Sequence, residues 1–115
     1  MTKKEYTVPI EVQMQLADRI MNFNKKNLAG NPCTYCVDAR GKFIYLLRKT
    51  INDSFEKIGR LTYDGDLEDM DFAIFRYSIE KYDAACDYFD GIECIDGTIE
   101  GAMMAGLKAY PISDI

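Results

Sequence analysis

Apolar residues recur along this chain with two periods, and the change from one to the other divides it into elements. From about Pro9 to Asn27 the spacing is helical: Ile10, Met14, Ala17 and Met21 form one stripe, and Val12, Leu16, Ile20 and Phe23 form a second. Glu11, Gln15, Asp18, Asn22, Lys25 and Lys26 share the polar side. Proline suits a first turn, and an acid near the start with lysines near the end suits the helix dipole. Two stripes exceed the arc needed to pack on one surface, so this helix is expected to meet two neighbours.

After the break at Asn31-Pro32 the period falls to two. Strands are predicted over Thr34 to Ala39, Lys42 to Lys49, Glu56 to Tyr63 and Asp71 to Ser78. Arg40-Gly41, Asn52-Asp53-Ser54 and Asp64-Gly65-Asp66 supply the turns between them. Connections this short permit only antiparallel neighbours. Lys81 to Phe89 reads as a short helix ended by Asp90-Gly91, and Asp96-Gly97-Thr98 caps a further helix over Ile99 to Ala109. The expected fold is α+β: an N-terminal helix, a four-stranded antiparallel meander and a C-terminal helix, with the helices packed on the sheet. Its 115 residues suffice for a single domain with one core.

With a simple register, Tyr45, Leu47, Leu61, Tyr63, Ala73, Phe75 and Tyr77 share one sheet face. Ile44, Leu46, Arg48, Ile58, Arg60, Phe72, Ile74 and Arg76 share the other. Both faces are apolar, so the one left by the helices is expected to be covered by the segment Tyr82 to Ile95 or by a partner, most simply a second copy. Arg48, Arg60 and Arg76 on one parity could clamp an anion, with Tyr45, Tyr63 and Tyr77 as aromatic neighbours. The alternative is three separate salt bridges.

Composition narrows the chemistry. A net charge of −5 with 19 acids against 14 bases argues against nucleic acid and anionic membrane surfaces as partners. No run is long enough to span a membrane, no secretory signal is visible, and a cytoplasmic location is expected. The chain has no histidine, which removes the usual general base at neutral pH and the commonest metal ligand. Cys33, Cys36, Cys86 and Cys94 could form a zinc site, but the second pair is spaced too widely, and buried reduced thiols are the expectation. Five carboxylates from Asp64 to Asp71 lack the spacing of an EF-hand loop and read as a solvated hairpin. In the last helix Gly97, Gly101, Ala105 and Ala109 recur every four residues, with Gly106 alongside. Such a ridge calls for close backbone approach to a sheet or to another helix. No cofactor is expected.

Three segments, Arg60 to Asp66, Phe72 to Ser78 and Asp96 to Ala102, together resemble a family of small prokaryotic proteins of uncharacterised function. The likeness runs from about Phe43 onward and implies a single domain, with no activity, cofactor or catalytic residue. The function expected from the residues is a binding or assembly module rather than an enzyme. The alternatives are a small enzyme or ligand-binding protein that grips an anionic molecule on the aromatic and arginine face, and a zinc-stabilised structural module.

Overall fold

The computed structural model describes residues 7–112. Helix α1 (Ile10–Asn27) is followed by strands β1 (Tyr35–Arg40), β2 (Phe43–Lys49), β3 (Phe55–Thr62), β4 (Asp71–Arg76) and β5 (Lys81–Asp83), and then by helix α2 (Ile99–Ala109). The strands pair antiparallel in chain order, β1-β2-β3-β4-β5. The α+β fold is as expected, with one strand more than the predicted four. Lys81 to Phe89 is not a helix: β4 stops at Arg76, residues 77–80 reverse the chain, and Lys81 pairs back with Arg76. Glu80 closes that reversal at φ +52°, a region usually left to glycine, so the local sequence carries no turn signature. A short 3₁₀ turn at Ile92–Cys94 precedes α2.

One irregularity decides which side chains share a face. Leu46 stands opposite Gly59, but Leu47 stands opposite Lys57, so β3 carries an extra residue at Ile58. Past this bulge the alternation of β3 is inverted relative to a simple register. Ile44, Leu61 and Phe72 line up across three strands, as do Tyr45, Arg60 and Ala73. Leu61 and Tyr63 therefore join the core face, while Arg60 moves to the opposite one, away from Arg48.

Both helices lie on the core face. Leu16, Ile20 and Phe23 from α1 and Ile99, Ala102 and Met103 from α2 bury against Ile44, Leu46, Ile58 and Leu61. Helix α1 runs along the edge of β1. At one end Val8 N–H donates to the Gly41 carbonyl at 3.1 Å. At the other, the Asn24 amide accepts from Tyr35 N–H at 3.0 Å and donates to the Tyr35 carbonyl at 3.1 Å, as a neighbouring strand would. Only the second apolar stripe of α1 is buried. Ile10, Met14 and Met21 are 63%, 64% and 50% exposed, yet α1 meets the two neighbours its apolar arc implied, β1 and α2, with the second stripe alone.

The small residues of α2 serve two contacts. A Cβ at Gly106 would meet the Tyr35 hydroxyl and Ile58, so this glycine lets the helix settle onto the sheet. A Cβ at Gly101 would stand 2.5 Å from the Cys94 carbonyl oxygen, and one at Gly91 would meet the Ala105 backbone. The Gly101–Ala105 ridge thus packs against the chain's own approach to the helix rather than against the sheet or α1. Thr98 caps the helix, its Oγ accepting from Gly101 N–H at 3.1 Å. Among the described residues no helix is long and apolar enough to cross a membrane.

Candidate functional site

With α1 and α2 on one side, the other face of the sheet carries no helix among the described residues. The bulge in β3 delivers Arg60 to the middle of this face, opposite Tyr45 on β2 and Ala73 on β4. The hairpin after Arg76 adds Tyr82, opposite Phe75. Aromatic rings then run across the face in edge contact. Phe43 and Tyr45 lie 6.1 Å apart, Tyr45 and Tyr82 5.4 Å, Tyr82 and Phe75 4.9 Å, and Phe75 and Tyr77 4.8 Å.

Cations are threaded between these rings. The Arg60 guanidinium sits 4.4 Å from the Phe43 centroid and 5.4 Å from that of Tyr82. Lys42 Nζ lies 5.4 Å from the Phe43 ring, and Lys57 Nζ 5.1 Å from that of Phe75. Arg19, Arg40, Arg48 and Arg76 each pair with a carboxylate within salt-bridge distance, whereas Arg60 has none among the described residues. Its Nε is buried without a hydrogen-bond partner. Burial, chiefly, raises the Tyr82 pKa, and the nearby Arg60 cation opposes that rise, so the phenol stays neutral at neutral pH. Chemically this is a flat apolar surface studded with cations, on a chain whose net charge is −5.

The arginines and tyrosines expected to act together are dispersed. Arg48 is 1% exposed on the core face, held by Glu56, the Tyr35 hydroxyl and the Gly106 and Tyr110 carbonyls. Arg76 pairs with Asp83 at 3.0 Å beside a hollow of about 280 Å³ that Tyr77, Cys86, Tyr88 and Tyr110 also line. Tyr63 is in the core. Tyr45, Arg60 and Tyr77 remain on or at the end of the aromatic face. The sequence reading omitted Phe43, Lys57 and Tyr82 from the site. Gly59 inside a strand was the available signal for the bulge that reorders the face.

The four cysteines occupy separate surroundings. Cys33 borders a hollow with Thr50 and Ile112, Cys86 lines the one beside Arg76, Cys94 lines the groove between the helices, and Cys36 sits on β1. All are free thiols, and among the described residues no three Cys, Asp or Glu side chains converge as metal ligands. Burial, with Asp38 nearby, pushes the Cys36 thiol above its usual pKa and so away from the reactive thiolate. The helix groove, about 520 Å³, is governed by Arg19, which the sequence reading also missed. Arg19 Nε donates to Glu100 at 2.8 Å, and its terminal nitrogens reach Glu68 at 2.9 and 3.2 Å. That hydrogen bond is the main reason the Glu100 pKa is lowered. Two carboxylates share the one Arg19 guanidinium, with Asp96 beside them, and Lys26 is the other basic residue lining the groove.

Compared with known protein families, curated proteins and solved structures, the chain matches none of them. The likeness of Arg60 to Asp66, Phe72 to Ser78 and Asp96 to Ala102 to a family of small prokaryotic proteins therefore carries no family assignment.

Proposed function

We propose that this chain is a small binding module without catalytic activity, and that it engages an anionic partner through the outer face of its sheet. The observation that carries this reading is Arg60, a guanidinium flanked by Phe43 and Tyr82 with no carboxylate partner among the described residues. A buried polar atom left unsatisfied costs free energy that a ligand's oxygen would recover. Low-dielectric ring walls strengthen such a contact relative to one in open water. No histidine is available as a base, and no thiol or carboxylate pairs with Arg60 among the described residues. Those facts favour recognition over chemistry. A second copy docked symmetrically on this face would set one set of Lys42, Lys57 and Arg60 cations against another, which favours a partner of opposite charge.

Poly-L-glutamate is a suitable first probe. In an NMR titration it should shift the amides of Tyr45, Arg60 and Tyr82, less so as salt rises, and Arg60→Ala should weaken the response. Shifts confined to the groove between α1 and α2, or no response at all, would sink the reading.

A further inference from the structure

Resting on the anionic-partner reading of the outer face, we infer that its occupant is an acidic peptide segment that also carries one apolar anchor side chain. The outer face continues, past Phe75, into a hollow of about 550 Å³ lined by Phe55, Lys57, Phe75, Tyr77 and Glu80. Phe55 is 58% exposed and Tyr77 47% exposed, so the hollow presents apolar surface that none of the described residues covers. Tyr77 is fixed there, its hydroxyl donating to the Lys57 carbonyl at 2.6 Å. Lys57 and Glu80 offset one another in charge, and Glu56, which also lines the hollow, is paired with Arg48, so this end of the face suits an uncharged side chain. Arg60, by contrast, has no carboxylate partner among the described residues and suits one from a ligand.

The two subsites are separated by successive ring contacts, Tyr82 to Phe75 at 4.9 Å and Phe75 to Tyr77 at 4.8 Å. The path along these rings, at most about 10 Å, is about three residues of extended chain. One small anion cannot reach both ends, whereas a peptide strand lying across the sheet does. Single-stranded nucleic acid is the other polyanion that binds aromatic sheet surfaces, and it does so by stacking bases on open ring faces. Here the ring faces are already occupied. Lys42 and Arg60 sit over Phe43, Lys57 over Phe75, and the rings meet one another edge to face. Carboxylates spaced by apolar side chains fit this pattern of cation heads and ring edges better.

The experiment compares three probes on the intact protein by calorimetry and NMR: a short glutamate-rich peptide with one central leucine, the same peptide with glycine in place of leucine, and oligouridylate. The leucine peptide should bind roughly tenfold more tightly than the glycine peptide, the gain expected from burying one aliphatic side chain. Phe55→Ala, at an exposed position, should abolish that gain. Arg60→Gln should weaken both peptides and leave the ratio between them unchanged. Equal affinity for the two peptides would overturn the anchor while leaving an anionic partner in place. Oligouridylate binding to the face in preference to both peptides would overturn the peptide as occupant. If no probe perturbs the face, both this inference and the proposed function fail.

Discussion

Arg48 Nε donates to Glu56 Oε1 at 2.7 Å across β2 and β3, and the guanidinium that makes this bond is 1% exposed. The same group reaches the Gly106 and Tyr110 carbonyls, so one side chain ties two strands to the C-terminal end of α2, where a cation also complements the helix dipole. Removing one partner of a buried ion pair costs about 3–5 kcal/mol, because the other charge stays buried alone. Glu56→Gln leaves the Arg48 charge buried without its carboxylate, so it should approach that loss in urea unfolding. Arg48→Ala leaves Glu56, which is 35% exposed and regains water, so its cost comes instead from the unpartnered Gly106 and Tyr110 carbonyls. A Glu56→Gln variant as stable as the parent would contradict the clamp.

Gly101 gives a test in which two effects oppose each other. Alanine or leucine raises helix propensity by about 1 kcal/mol over glycine. A side chain there, however, must displace the Cys94 carbonyl, which is backbone and moves reluctantly. Overpacking of this kind typically costs about 1–3 kcal/mol, so Gly101→Leu should melt below the parent. The obstructing atoms belong to the same chain, so the loss should not change with protein concentration. A variant that melts higher would show that the approach to α2 yields freely.

Alkaline pH should expose the burial of Tyr35. Its pKa is raised from 10.0 to about 12, first by burial, with Arg48 opposing. The folded state thus keeps its proton where the unfolded chain releases it. The associated stability is complete below pH 10, declines above it and is gone once pH passes about 12. In free energy this is about 2–3 kcal/mol. Tyr35→Phe starts lower, because the 2.7 Å bond to the Met103 carbonyl is lost, but its stability should fall less steeply over that interval. Parallel slopes for parent and variant would refute the assignment.

Asn24→Ala removes both hydrogen bonds to the Tyr35 backbone at once. The expected loss is about 1–3 kcal/mol, with faster hydrogen exchange at the Tyr35 amide as the local sign. Exchange at Tyr35 unchanged from the parent would show that water or the helix backbone takes over the role.

Much of this fold is visible in the alternation of residues 42–78, where short turns leave antiparallel pairing as the one arrangement available. The site is less legible, and each gap has a physical cause. Parity places Arg60 beside Arg48 and Arg76 until Ile58 is counted as an extra residue; a single insertion exchanges the two faces beyond it. Tyr82 enters the site through a strand of three residues whose turn contains no glycine, so nothing local marks Lys81 to Asp83 as a strand. The role of Arg48 depends on Tyr110, 62 positions along the chain, a separation at which local pattern is silent. The helical ends were easier: Thr98 caps α2 at the residue its neighbours imply.

The placement of α1 beside β1 bears on how the chain behaves at high concentration. Open strand edges recruit strands from other molecules, and this begins many misassembled aggregates. Val8 and the Asn24 amide occupy the two ends of the β1 edge, and at the far side of the sheet β5 is only three residues long. Neither border offers a neighbouring molecule a long row of free backbone groups. An aromatic surface as broad as the outer face can therefore stay uncovered without the sheet growing sideways into fibrils, and it is α1, which touches none of that surface, that keeps it available.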